Sequence, residues 1–293
     1  MCLQGRVIRA RGGFFDVYTT EEIERRCRAR GIFKKRGQTV LVGDLVQLVP
    51  MGETEGVIEE ILPRSTELLR PPVANITQAF VIFSIVEPLI QTYLLDGLLV
   101  AVQQAGIRPI IVFTKCDIAT DQDKEDLFNQ YRLTGFPIFF VSSRKEIGLE
   151  DVKEALTGEI TVLAGPSGVG KSSLLNALAP HFSLETGGIS EKMGRGRHTT
   201  RHVSLLSVGE NAWVADAPGF SQLSLSVASQ DVRLYYPDFF PFAQNCPYRG
   251  CLHLQEENCA VQAAVERGDL PAERLTNYQT LVNNKIEQEG RQY

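Results

Sequence analysis

The chain has 293 residues, more than one ordinary core needs, so two or three domains are expected. With 43% hydrophobic and 22% charged residues it has a globular composition, which excludes wholesale disorder. Its net charge of −5 excludes a uniformly basic chain and leaves only local patches to meet nucleic acid. The opening Met1-Cys2-Leu3-Gln4-Gly5-Arg6 turns polar at once, unlike a signal peptide. The best apolar run, Ala79 to Val86, is strand-sized, so no membrane partner is expected and the location is cytoplasmic.

Residues 1–70 read as an all-β unit. Short apolar or alternating runs fall at 5–8, 14–18, 39–42, 45–49 and 56–62, separated by glycine-bearing turns. Five such strands suit a small closed barrel of the oligonucleotide-binding (OB) type. Between the second and third runs lies a segment, 25–36, with seven basic residues and no acid. It reads as a loop that either follows an RNA backbone, with Phe33 as a stacking surface, or is simply solvated, with Phe33 packed on the barrel. Prolines at Pro63, Pro71 and Pro72 mark the end of this unit.

Residues 71–224 alternate strand and helix. Buried strands are expected at 79–84, 109–113, 136–141 and 161–164, and helices at 94–104, 121–133, 149–156 and 173–178. That order implies a parallel sheet with helices on both faces. Further strands fall at 203–206 and 212–215, with Trp213 read as core. After about residue 224 the alternation stops, and 225–293 reads as a helical unit opened by a cysteine cluster.

The chemistry centres on Gly165-Pro166-Ser167-Gly168-Val169-Gly170-Lys171-Ser172-Ser173, which fits the phosphate-loop pattern between a strand and a helix. Its backbone N–H groups would wrap a triphosphate, Lys171 would reach the β- and γ-phosphates, and Ser172 would hold Mg²⁺. Upstream, Thr114-Lys115-Cys116-Asp117 ends another strand and fits a guanine-reading element. A carboxylate there accepts from both the ring N1–H and the exocyclic amine of guanine, a donor pair that adenine lacks. Ser142-Ser143 ends the next strand, where a small-residue loop would lie against the base. Downstream, Asp216-Ala217-Pro218-Gly219 fits D-x-x-G: Asp216 would hold Mg²⁺ through water, and the Gly219 N–H would sense the γ-phosphate. Thr199 or Thr200 would supply a further Mg²⁺-binding hydroxyl. The base-reading motifs precede the phosphate loop, the reverse of the ordinary order, so the domain is circularly permuted.

Cys246, Cys251, His253 and Cys259 offer three thiolates and an imidazole at C-x4-C-x-H-x5-C spacing. That set fills a tetrahedral Zn²⁺ site, one structural ion per chain, with no position left open for catalysis.

The permuted order, the Gly194-Arg195-Gly196-Arg197-His198-Thr199-Thr200 loop, the barrel and the cysteine cluster together resemble the bacterial small-ribosomal-subunit-dependent, circularly permuted GTPases (the ribosome small subunit-dependent GTPase A family). Arg70-Pro71 and Ala74-Asn75-Ile76 add to the resemblance. It implies a GTP-hydrolysing factor in late maturation of the 30S subunit, binding GTP and GDP, the particle and its 16S rRNA, with hydrolysis stimulated by the particle. A monomer is expected. Phe220 follows D-x-x-G, where many GTPases place a water-orienting Gln; His198 is the candidate for that role, or Arg195 or Arg197 for stabilising charge. Thr114 stands where many GTPases have Asn.

Overall fold

The structure, a computed structural model, describes residues 2–69, 72–179, 203–209, 211–216 and 226–291. Two compact units emerge: Met1–Phe80, Leu149–Ala164 and Lys171–Gln222 form the first, and Val81–Gly148, Gly165–Gly170 and Leu223–Tyr293 the second.

The first unit opens with β1 (Leu3–Arg11), β2 (Phe14–Thr19), β3 (Glu24–Ala29), α1 (Gly31–Lys35), β4 (Leu45–Met51) and β5 (Glu55–Ile61). β1–β2, β2–β3, β4–β5 and β1–β4 pair antiparallel, and β3–β5 parallel, which closes a five-stranded barrel. The expected barrel is present, but its third strand is not the expected one. Segment 39–42 makes only a bridge from Val42 to Val73, while the supposed basic loop begins as β3. Its alternation is masked by arginines. Cys27 points into the core with Val7, Val17, Val46, Leu48 and Ile58, while Arg26 and Arg28 face out. Arg25 shares the inward face, with its guanidinium donating to the Gly52 carbonyl (2.8 Å) and the Glu21 carboxylate (3.3 Å). Phe33 is in the barrel core at 5% exposure, so it offers no stacking surface.

The chain continues through β6 (Glu67–Leu69), β7 (Pro72–Ala74), β8 (Gln78–Ser84), α2 (Thr92–Gln104), β9 (Arg108–Thr114), α3 (Asp121–Tyr131), β10 (Ile138–Val141), α4 (Leu149–Leu156), β11 (Ile160–Ala164), α5 (Lys171–Leu178), β12 (Ser204–Gly209) and β13 (Ala212–Asp216). β6 and β7 form a hairpin that the sequence reading did not anticipate. Within the first unit β11 and β13 run parallel, and β12 pairs antiparallel with β13 and reaches β1. Trp213 is buried and meets Tyr18 of β2 edge-on, with ring centroids 5.4 Å apart.

In the second unit β9 and β10 run parallel. All seven residues of β8 are buried. That burial matches a strand covered on both faces. Thr120 and Asp123 form a reciprocal cap that starts α3. The C-terminal part carries 3-10 turns at 229–235 and 237–239, then α6 (Phe240–Ala243), α7 (Ala260–Glu266) and α8 (Ala272–Gly290). It packs on α2: Val100 shares a core with Val232, Tyr236, Phe239, Tyr278 and Leu281.

The same contact buries three charges. Arg274 of α8 donates from Nε and Nη2 to Asp238 (2.8 and 3.0 Å) and from Nη1 to Asp96 of α2. Its guanidinium also lies over the Tyr236 and Tyr131 rings, 4.6 and 5.1 Å from their centroids. Burial raises the Asp96 carboxyl to about 6, against the pull of Arg274. Because Asp96 titrates higher in the fold than in the unfolded chain, its proton favours the fold at low pH. That contribution is lost as pH rises through about 6. Arg274→Met leaves two buried carboxylates without their cation and should cost about 3–5 kcal/mol in urea unfolding at neutral pH. The deficit should narrow near pH 5, where Asp96 takes up a proton; a deficit independent of pH would contradict the assignment.

Candidate active site and metal centre

Thr114 lies opposite Val141, so β9 and β10 end level. Lys115 follows with φ 59°, a left-handed turn held by the Ile118 N–H donating to the Lys115 carbonyl (3.2 Å). The Cys116 N–H donates to the Val141 carbonyl (3.2 Å), and its side chain is buried. Asp117 is left half-buried at the strand ends. A hydrogen bond from the Ser142 hydroxyl holds the Asp117 carboxyl below its usual range, with Arg144 and Lys145 pulling the same way. Ser142 in turn accepts from the Lys145 N–H (3.1 Å). Asp117 is thus an oriented, ionised acceptor, which is the chemistry guanine requires. Ser143 follows Ser142 and is half-buried.

The glycine loop belongs to the same unit. Gly165 has φ 143°, and a Cβ there would lie 2.1 Å from the Ile82 carbonyl oxygen, so no other residue fits. Gly170 has φ 96° and passes within 3.7 Å of Thr114 Oγ1, measured from where its Cβ would stand. Between them Val169 is buried, whereas Ser167 and Gly168 are exposed and Pro166 half-buried. The Thr114 hydroxyl donates to the Val169 carbonyl, which ties the end of β9 to the glycine loop. The Lys115 ammonium donates to the Glu87 carbonyl, a contact that no sequence pattern announced.

Lys171 opens α5 in the first unit, followed by half-buried Ser172 and exposed Ser173. Burial lowers the Lys171 ammonium, and a phosphate beside it would offset that cost. Asp216 closes β13 one residue beyond Ala215, which lies across from Val162 of β11. A hydroxyl and a carboxylate are the hard oxygen donors Mg²⁺ takes. His198, Thr199, Thr200, Gly219 and the arginines of their loop lie outside the described residues.

The cysteine cluster is in the second unit. The donor atoms of Cys246, Cys251, His253 and Cys259 all fall within 4.8 Å of one another. Cys246 Sγ is 3.7 Å from His253 Nδ1 and 4.0 Å from Cys259 Sγ; Cys259 Sγ is 3.8 Å from Cys251 Sγ and 3.3 Å from His253 Nδ1. Metal–sulfur bonds of about 2.3 Å in a tetrahedron set sulfur–sulfur edges of about 3.8 Å, so the set fits Zn²⁺. Burial pushes the Cys251 thiol up to about 12, raises Cys259 and lowers His253. A divalent cation reverses the thiol shifts and takes the neutral imidazole. The loop is braced by Glu256, whose carboxylate accepts the N–H groups of Leu252, Leu254 and Gln255 at 2.6–3.2 Å. Gln279 of α8 donates to the His253 carbonyl (2.9 Å). The sequence reading missed both; an acid lodged among four candidate metal ligands was the available signal.

The strand ends and loop define a P-loop GTPase whose motifs run in permuted order. The family model described as RsgA GTPase matches residues 61–226, and that of the RsgA N-terminal domain matches 4–58. The small ribosomal subunit biogenesis GTPase RsgA of Geobacillus sp. (strain WCH70) is 45% identical, covering 98% of this chain and 99% of its own. The protein of that name from Bacillus subtilis (strain 168) is 43% identical, over 94% and 95%. The crystal structure of YjeQ from Thermotoga maritima superposes with TM-score 0.83 at 30% identity, over 98% and 99%. That of YloQ, a circularly permuted GTPase, gives 0.81 at 37%, over 98% and 96%. The chain belongs to the RsgA GTPase family and is a hydrolase acting on GTP.

Purified wild-type chain should carry about one Zn²⁺ by elemental analysis. Cys259→Ser should lose most of it and unfold at lower urea, because three donors no longer close the tetrahedron. Full zinc retention in this variant would exclude the cluster as the metal centre.

Proposed function

We propose that this GTPase is a late assembly factor of the small (30S) ribosomal subunit, that it binds 16S rRNA, and that the particle stimulates its hydrolysis. The observation that supports the GTP part is the Thr114–Val169 bond, together with Asp117 and residues 165–170 belonging to one unit. The ribosomal part is supported by relatives named small ribosomal subunit biogenesis GTPase, which match the chain almost end to end. The protein acts as a monomer in the cytoplasm. Among the described residues no helix is long and apolar enough to cross a membrane.

In this reading Asp117 accepts from the guanine N1–H and amine, and the Lys115 stem packs along the base. Ser142 orients Asp117, and Ser143 lies against the base. The N–H groups of 165–170 wrap the phosphates, joined by Lys171 and the N-terminus of α5 through Ser173. Ser172, Asp216 and Thr199 or Thr200 hold Mg²⁺, and the Gly219 N–H meets the γ-phosphate. The Mg²⁺ offsets charge on the β- and γ-phosphate oxygens. His198 positions the attacking water once its loop engages the particle. Domains follow as an OB-type barrel over 1–70, a permuted GTPase over 71–224 and a zinc-binding helical part over 225–293.

The rRNA contact is supported by the outer face of the barrel. Arg26 and Arg28 flank the Phe14 ring at 4.4 and 4.7 Å, a stacked cationic surface of the kind that meets a nucleic-acid backbone and base.

Sedimentation with purified 30S subunits tests the proposal. The chain should pellet with them when loaded with a non-hydrolysable GTP analogue and release with GDP. Particle-stimulated turnover should fall about a hundredfold in His198→Ala, the scale of one acid–base or positioning group. Nucleotide-independent pelleting would sink the assembly role, and unchanged turnover would remove His198 from the mechanism.

A further inference from the structure

A cleft of about 310 Å³ opens beside the cysteine cluster, wholly within the second unit. Its buried lining includes Phe239, Cys251 and His253; its exposed lining includes Leu234, Phe240 and Tyr248. Arg233 and Arg249 line it too. Among the described residues that line it there is no acid, in a chain whose net charge is −5. Neither arginine is in an ion pair among the described residues, and Arg233 is steadied by donating from Nε to the Gln230 carbonyl (3.1 Å).

The aromatic content is as uneven as the charge. Phe128, Phe240 and Tyr248 are the exposed phenyl and phenol rings among the described residues, and two of these three line this one cleft. A recess with two exposed rings and two cations selects a ligand that is flat, aromatic and anionic. Its volume is at the small end of ligand sites, the scale of one nucleotide rather than a folded partner.

The tongue that bears Tyr248 and Arg249 spans 247–250, between the ligands Cys246 and Cys251. Its end is further fixed by the Cys251 N–H donating to the Tyr248 carbonyl (3.2 Å). The metal centre thus acts as the clasp that holds a ring and a guanidinium at a fixed spacing.

We propose that this cleft takes one unpaired nucleotide of an RNA strand. Its base stacks on Tyr248 and Phe240, and its phosphate pairs with Arg249 and Arg233. The proposal rests on the rRNA reading above and deepens it: the C-terminal part reads single-stranded RNA by itself, whatever the barrel does.

The test uses the full zinc-loaded chain and a short single-stranded RNA carrying 2-aminopurine, whose fluorescence falls on stacking. Wild type should quench it. Tyr248→Ala should abolish the quench and weaken binding about tenfold, whereas Tyr248→Phe should keep both. Arg249→Ala should lower the slope of log affinity against log salt by about one. Zinc content, measured for every variant, shows whether the loop is intact. The barrel variant Arg26→Ala/Arg28→Ala should still quench.

Undiminished quench and affinity in zinc-replete Tyr248→Ala would overturn the cleft while leaving rRNA binding in place. Displacement of the RNA by an acidic peptide at lower concentration than by competitor RNA would overturn it in favour of a protein ligand. Absence of RNA binding by wild type would overturn both the cleft and the rRNA reading.

Discussion

The hydroxyl of Thr114 and the carbonyl of Val169 join the Thr114–Asp117 turn to the glycine loop, two motifs that the chain supplies out of order. A sheet needs its strands side by side, and it is indifferent to the sequence in which they are made. The glycine loop and the Thr114–Asp117 turn must still meet within a few ångström for one nucleotide to reach both. Here that meeting depends on a buried threonine whose donor finds its acceptor on a buried loop residue. Such a bond is worth only about 1 kcal/mol net, but an unpaired buried carbonyl would cost about 1–3 kcal/mol. The substitution of Thr for the usual Asn is therefore no loss at this contact, because the hydroxyl makes the link itself.

Permutation has a second consequence. The segment after Asp216 leads into the C-terminal part by residue 226, which packs against α2. At that contact Arg274 holds Asp96 and Asp238 with both carboxylates buried. Buried ion clusters contribute little net stability, yet they tolerate few alternative packings. A guanidinium forked on Asp238, paired with Asp96 and covered by two tyrosine rings therefore ties α8 to α2. The loop of the cysteine cluster hangs from the same helix through Gln279. The C-terminal part thus belongs to the unit that contains Asp117.

Much of this was legible in the residues. The alternation of apolar runs with polar helices gave the α/β region, because strands buried on both faces, such as Phe80-Val81-Ile82-Phe83, carry a pattern no loop imitates. The glycine loop, the Thr114–Asp117 turn and the Cys/His cluster are local spacings, and local spacings survive in sequence. β3 did not, because arginine is able to face inward when its guanidinium reaches a carbonyl and a carboxylate, as Arg25 does. Phe33 carried two readings, and only its place in the barrel core decided between them. The Asp96–Arg274–Asp238 cluster joins residues 178 positions apart, a distance no motif spans. Its one sequence trace is an aspartate set among leucines in α2.

The central claim is that the pocket selects guanine through Asp117. Titration calorimetry of the wild-type chain and Asp117→Asn against guanosine, adenosine and xanthosine diphosphates tests it directly. An asparagine amide donates where the carboxylate accepted, and xanthine offers a carbonyl in place of guanine's amine. Wild type should bind GDP and show no measurable ADP affinity, and the variant should prefer the xanthosine nucleotide. Equal affinity of the wild type for GDP and ADP, or an unchanged preference in the variant, would contradict the account.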